Sequence, residues 1–262
     1  RRGYRPAIVS RGYGGRVSSV PRMVKGGDAA ADVGDEPLVL REATGLPVCV
    51  CAHRVSAVRK VAALGATVAI ADDGLQHYAL RRAFEFVVVD GRRRFGNGRR
   101  LPAGPLRESL DRLNEADAVL LNGGDERAGE PGRRFDLVQG AARRLGKPDV
   151  SRPLAAFAGQ RVWAVAGIGD PERFFEQLRG TGIQVDAVAL DDHGRIDLLP
   201  LLREREQPVL MTEKDAVKYP GLPGDFWVVP VTVQFPPHVA ALLLDAVENA
   251  LRSAQNSAAV TE

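Results

Sequence analysis

The sequence predicts an α/β protein with a mostly parallel sheet and a second, smaller α/β lobe. Three observations predict it. Short runs rich in Val, Ile and Ala alternate with helical patterns, as βαβ units and a parallel sheet require. A Gly-, Pro- and Arg-rich stretch over 123–160 interrupts that alternation, and a fresh strand-turn-helix-strand unit begins beyond it. The chain has 262 residues, 45% of them hydrophobic and 26% charged, so it has the length and composition of a soluble globular protein with a sizeable core.

Taken in order, the first strands fall at 6–10, 47–52, 67–71, 85–90 and 117–122. Between the second and third lies a helix over Val55–Leu64, with apolar residues at 55, 58, 61, 62 and 64 and Gly65 to end it. The stretch 123–160 reads as an irregular crossing with a boundary near 155, which gives lobes 1–155 and 156–262. Strands of the second lobe fall at 161–166, 184–189, 207–212 and 226–233. Its helix starts where Asp170 can cap and Pro171 takes the first helical position, and it ends near Gly180. A last helix runs from about His238 to Ala254.

Charge excludes one function class. Lys+Arg 36 against Asp+Glu 33 gives +3, spread along the chain and too diffuse for a nucleic-acid footprint. Only five of those bases are Lys, and the Arg-rich balance leans weakly toward anionic ligands. Cys49 and Cys51 sit one residue apart in Pro47–Ala52, on one face of a strand, and read as packing residues. No run approaches the ~18 apolar residues of a membrane span, and no stretch has a signal-peptide pattern. The chain opens Arg1-Arg2-Gly3-Tyr4-Arg5-Pro6 and runs at once into Ala7-Ile8-Val9, so its true N-terminus is expected upstream.

The most informative segment is Thr67–His77. An apolar strand ending in Asp72-Asp73 places two carboxylates at the carboxyl edge of a parallel sheet, where α/β proteins bind ligands. There an Asp can hold Mg²⁺, which takes one or two hard oxygens and keeps waters for the rest; Asp-Asp-Gly is equally good turn chemistry. Gln76 and His77 close behind favour a site. Ser10-Arg11-Gly12-Tyr13-Gly14-Gly15-Arg16 follows the first strand and offers backbone amides and guanidinium groups to an anion. A second basic, Gly- and Pro-rich connection, Asp90–Glu108, suits an ordered loop over a phosphate-bearing ligand. Gly34-Asp35-Glu36-Pro37 reads as a helix start, and Thr212-Glu213-Lys214-Asp215 as a cap after a strand.

Ser10–Gly15, Gly34–Pro37, Asp72–His77, Leu101–Glu108, Asp192-His193 and Thr212–Lys218 occur in the order seen in tetraacyldisaccharide 4′-kinases, and the sequence resembles that family over essentially its whole length. The resemblance implies a P-loop NTPase-like core and a lipid A biosynthetic kinase. Such an enzyme moves the γ-phosphate of ATP to the 4′-hydroxyl of a tetraacylated glucosamine disaccharide 1-phosphate, at the cytoplasmic face of the bacterial inner membrane. It implies Asp72 and Asp73 as Mg²⁺ ligands, Asp35 as catalytic base with His193 as its partner, and Glu36, Arg54, Arg107 and Glu108 as further active-site residues. Ser10, Arg11, Gly12, Gly14, Gly15, Gln76, His77, Thr212, Lys214 and Asp215 are implied around ATP. Its partners would be the lipid substrate and the membrane surface. A Walker A loop, Gly-x4-Gly-Lys-Ser/Thr, is not found in the 262 residues. In the family that loop and a hydrophobic helix precede Ser10, so catalysis is expected of the full-length protein and residues 1–262 alone are expected to be inactive. The competing reading is a non-catalytic or GTPase-like nucleotide-binding module with a protein partner.

Overall fold

The structure, a computed structural model, describes residues 2–16, 18–124, 132–191, 198 and 207–259. Contacts divide the chain into two compact units, Arg1–His77 with Gln139–Val231 and Tyr78–Val138 with Thr232–Glu262. The units follow contacts rather than chain order, so they do not coincide with the sequence boundary near 155. The physical reason is that residues 213–218 pack on the helix that starts at Asp35, and the last helix packs on strands from the middle of the chain.

In the first unit, β1 (Pro6–Ser10) pairs in parallel with β3 (Val48–Val50) and β4 (Val68–Ala71), and the short β2 (Arg22–Met23) borders β3 antiparallel. Strand alternation splits the side chains between two cores. Ala7, Val9, Cys49 and Cys51 meet Ala57 and Val61 of α3 (Arg54–Ala63) on one face. Ile8, Val48 and Val50 meet Val33 of α1 (Ala30–Val33) and Leu38 of α2 (Asp35–Thr44) on the other. Both cysteines are buried and free, as packing residues should be.

The same unit holds a six-stranded sheet. Its spatial order begins with β11 (Gln184–Ala189), β10 (Arg161–Ala166), β12 (Val209–Thr212) and β13 (Phe226–Val229), paired in parallel, and ends with β8 (Ala142–Arg144) and β9 (Lys147–Arg152), which are antiparallel. One face packs on Phe174, Phe175 and Leu178 of α4 (Pro171–Gly180), whose Asp170 cap accepts the Arg173 N–H at 3.4 Å. Phe226, Met211 and Tyr219 build the other face, where α5 (Glu213–Ala216) contributes Ala216.

In the second unit, β5 (Phe86–Asp90), β6 (Ala118–Asn122), β7 (Arg133–Gln139) and β14 (Val231–Gln234) form a sheet in the order β14-β7-β6-β5. Leu120 and Phe135 of that sheet pack against Val239 and Leu243 of α6 (Pro237–Ala259). Among the described residues no helix is long and apolar enough to cross a membrane.

Two expectations are corrected here. The stretch 123–160 is not wholly irregular, because β7, β8 and β9 lie within it. Their Arg-rich sequences carry little hydrophobic alternation, and β9 is an edge strand, where charge is tolerated and blunts aggregation. The single run 226–233 is two strands, because Pro230 cannot donate a ladder hydrogen bond and separates β13 from β14.

Candidate active site

Parallel pairing of β1 with β4 matches Val9 to Ala71, so Ser10 and Asp72 emerge together at one sheet edge. The Asp72 N–H donates to Val9 O at 2.9 Å, and the Ser10 hydroxyl donates to Asp72 Oδ2 at 2.9 Å. The Gly12 N–H in turn donates to Ser10 Oγ at 3.3 Å. Asp73 adopts φ +45°, a left-handed conformation that Asp tolerates better than most residues. It is exposed, whereas Asp72 is half-buried. The turn closes where the His77 N–H donates to Gly74 O at 2.9 Å.

Arg54 opens α3 and is 7% exposed. Burial lowers its pKa, while the carboxylates of Asp73 and then Asp72 oppose that shift and Arg11 adds to it. Its Nε is buried without a hydrogen-bond partner. A guanidinium keeps its charge even so, and this one holds an uncommitted donor among acids. The fold therefore gathers Ser10, Arg11, Arg54, Asp72 and Asp73.

The glycine loop after β1 locks onto the junction of α1 and α2. Gly34 has φ +88°, and a Cβ there would stand 2.6 Å from Tyr13 O. A Cβ on Gly15 would stand 2.5 Å from Gly34 N. Two backbone segments cross at this point, and only glycine lets them touch. The Gly12 and Gly15 N–H groups donate to Ser10 Oγ and Gly12 O, and the close approach that these glycines permit is to backbone. Gly14, at φ +79°, sits in the same turn.

Directly after the crossing comes Asp35, the first residue of α2 and 3% exposed. Gly34 rather than Asp35 caps the helix, and Asp35 Oδ1 accepts the Glu36 N–H at 3.0 Å. Lys218 Nζ stands 3.9 Å from Asp35 Oδ2 and 2.9 Å from Asp215 Oδ1. Asp215 Oδ2 accepts the Gly167 N–H at 2.8 Å and the Thr212 hydroxyl at 2.6 Å. Thr212 caps α5 by accepting the Asp215 N–H. One turn before Lys218, Lys214 Nζ reaches Glu36 Oε1 at 3.3 Å. Thr212 and Asp215, expected around ATP, are thus members of a buried network, with Asp215 fully enclosed. Lys218 and Gly167 are the residues that sequence reasoning left out. The signal for Lys218 was its place one helical turn after Lys214 in Thr212–Lys218.

Arg107 and Glu108 belong to the second unit. Arg107 is exposed, and Glu108 accepts a hydrogen bond from the Tyr78 hydroxyl, which raises the Tyr78 pKa. Arg112 lies 3.7 Å from Glu108 and also pairs with Glu85. Gln76 is exposed and His77 half-buried, both in the turn after Asp73. His193 lies outside the described residues. Among the described residues no three His, Cys, Asp or Glu side chains gather as a metal centre, so any cation at the sheet edge rests on the Asp72–Asp73 pair.

Comparison with known proteins places this arrangement. The family model described as tetraacyldisaccharide-1-P 4'-kinase matches residues 1–248. A tetraacyldisaccharide 4'-kinase of Aeromonas hydrophila is 46% identical over 247 residues, covering 93% of this chain and 73% of its own length. That of Alkalilimnicola ehrlichii is 48% identical over 233 residues, covering 87% and 69%. A crystal structure of LpxK from Aquifex aeolicus, an "apo" form in complex with ATP, matches with a TM-score of 0.74 at 24% identity, covering 95% of this chain and 79% of that one. That likeness shows the fold, an α/β architecture with mostly parallel sheets. Identities of 46% and 48% to the Aeromonas and Alkalilimnicola kinases, along with a family match over residues 1–248, show that the chain belongs to the tetraacyldisaccharide-1-P 4'-kinase family.

Proposed function

We propose that the protein transfers the γ-phosphate of ATP to the 4′-hydroxyl of a tetraacylated glucosamine disaccharide 1-phosphate, acting on lipid at the cytoplasmic face of the inner membrane. The observation that carries the mechanism is Asp35, a carboxylate buried at a helix start and held opposite the Lys218 ammonium. A sugar hydroxyl is a poor nucleophile at neutral pH, and a carboxylate within hydrogen-bond reach removes its proton as the phosphoryl group arrives. Asp35 is that base. His193 would share or orient the proton, and Glu36 supports the helix start through Lys214.

Asp72 and Asp73 fit a magnesium ion by their chemistry. They are adjacent hard carboxylates at a strand end, and Asp72 is already oriented by Ser10. Mg²⁺ held there would supply positive charge to offset that of the transferring phosphate. Arg54 offers its uncommitted Nε–H to a phosphate oxygen, and Arg11 lends a second guanidinium. Arg107, Glu108, Gln76, His77, Gly14 and Lys214 complete the proposed set.

The test is ATP-dependent labelling of disaccharide 1-phosphate lipid by the intact kinase, wild type against Asp35→Asn. Loss of a general base lowers kcat by about 10²- to 10⁴-fold. A folded Asp35→Asn enzyme with wild-type turnover refutes the assignment of the base.

A further inference from the structure

We propose that Lys218 is a positioning residue for this reaction: its buried ammonium, braced by Asp215, holds the Asp35 carboxylate in place for proton transfer. The proposal rests on the reading of Asp35 as the base. The side chains of Asp35, Lys218 and Asp215 are 4%, 5% and 0% exposed. An ammonium is expensive to bury and is kept only where anions compensate it.

The three groups are not equivalent. Asp215 is fixed by the Gly167 N–H, by the Thr212 hydroxyl and by Lys218 at 2.9 Å, a set of donors that leaves it the role of an anchor. A Cβ on Gly167 would stand 2.8 Å from Asp215 Oδ1, so the anchor also needs a glycine beside it. Lys218 is hydrogen-bonded to the anchor but stands 3.9 Å from Asp35. That separation is beyond hydrogen-bond length and within ion-pair reach. At that range the ammonium can hold the orientation of the carboxylate without donating a hydrogen bond to Asp35 Oδ2.

Two lysines one turn apart thereby face two consecutive acids, Lys214 with Glu36 and Lys218 with Asp35. The Thr212 cap fixes that turn, and Glu213 ties it to the chain through the Val231 N–H at 3.1 Å. The charged groups on the elements around Asp35 are Asp32 on α1, Glu36, Arg41 and Glu42 on α2, and Glu213, Lys214, Asp215 and Lys218 on α5 and the turn after it. Removing Lys218 takes away the ammonium that faces Asp35 and leaves Lys214 with Glu36.

The experiment is steady-state kinetics of the intact kinase, kcat and KM for ATP and lipid, for Lys218→Met, Lys218→Arg, Asp215→Asn and Asp35→Asn, each with its melting temperature. Lys218→Met is expected to lower kcat about tenfold to a hundredfold, part of the contribution of the base, with KM for ATP and lipid within about twofold. Lys218→Arg restores most of the lost kcat. Asp215→Asn, whose amide oxygen can still accept from Gly167 and Thr212, loosens the brace on Lys218 and lowers kcat by less, again with KM nearly unchanged. A merely structural role lowers the melting temperature and raises KM along with the fall in kcat, and is not rescued by Lys218→Arg; that pattern, or wild-type kcat in a folded Lys218→Met, overturns the proposal. Should Lys218→Met fail to fold, the split between kcat and KM in Asp215→Asn decides the question. Retained activity in Asp35→Asn is a separate result and refutes the assignment of the base itself.

Discussion

Replacing Gly34 by alanine is expected to be among the most damaging single-methyl changes in the molecule. Gly34 has φ +88° and ψ 153°, a region that is essentially glycine-only and costs other residues about 1–3 kcal/mol. The new Cβ would stand 2.6 Å from Tyr13 O and 3.2 Å from Gly12 C. Both are backbone atoms that cannot swing aside, and forcing a methyl into such a contact costs about 1–3 kcal/mol more. The sum, about 2–6 kcal/mol, lowers the melting temperature by roughly 5–20 °C at 2–4 °C per kcal/mol for a chain near this size. Turnover falls as well, because Asp35 begins one residue later and its position is set by the crossing. Gly15→Ala attacks the same crossing from the other side, with a Cβ 2.5 Å from Gly34 N, so the double variant loses less than the sum of the two. Gly26 has ordinary backbone and no neighbour within 4 Å of its built Cβ, and Gly26→Ala leaves stability unchanged or raises it by up to about 1 kcal/mol. The assay is thermal and urea unfolding alongside kinase activity. A Gly34→Ala protein that melts within about 2 °C of wild type and turns over normally refutes the reasoning.

Asp72→Asn is expected to cut kcat by about a thousandfold at saturating Mg²⁺, whereas Ser10→Ala, which removes only the orienting hydroxyl, costs about tenfold; a Mg²⁺ titration of both variants checks the ranking. Arg54→Met removes a desolvated guanidinium whose Nε has no partner, so the denaturation midpoint holds or rises while activity collapses. Burial, helped by Cys51, pushes the Cys49 thiol up to about 11. The folded state therefore binds that proton more tightly than the unfolded chain, whose value is near 9. Stability from this source is intact below about pH 9 and is lost as the pH rises toward 11. Urea midpoints at pH 8 and 10.5 should fall less in Cys49→Ala than in wild type, and iodoacetamide at pH 8 should leave Cys49 unlabelled in the folded protein.

The parallel strands were legible because they are short runs of apolar, largely β-branched residues: β1, β4, β5, β6, β10 and β11 fall within a residue of the runs seen in the sequence. So were helix ends that rest on one local rule, such as Asp170 and Pro171 opening α4. The hairpin β8–β9 was illegible because its strands are short and Arg- and Lys-bearing, and β9 lies at the sheet edge. In the candidate site, the sequence placed Asp72 and Asp73 together at a strand end but could not tell that Asp73 is exposed while Asp72 is held by Ser10. Glycine spacing suggested an anion cradle, yet the same freedom is used at Gly12 and Gly15 to let backbones cross. Nothing in a linear reading joins Lys218 to Asp35, since that pairing exists only once two remote segments have met.

Those remote segments set a schedule for biosynthesis. Lys214 lies 178 residues after the Glu36 that it clasps, and α6, near the end of the chain, supplies Val239 and Leu243 to the core of the second unit. At about 5–20 residues per second, a ribosome leaves the acids at the start of α2 without their lysines for roughly 10–35 s. Neither unit can close before most of the chain has emerged, and the cluster of Ile8, Val33, Leu38, Val48 and Val50 waits for Val217 to complete its packing. Incompletely packed apolar clusters of this kind are where a nascent chain is exposed to aggregation. Slowing translation between residues 77 and 213 should lower the soluble yield more than slowing it after Val231.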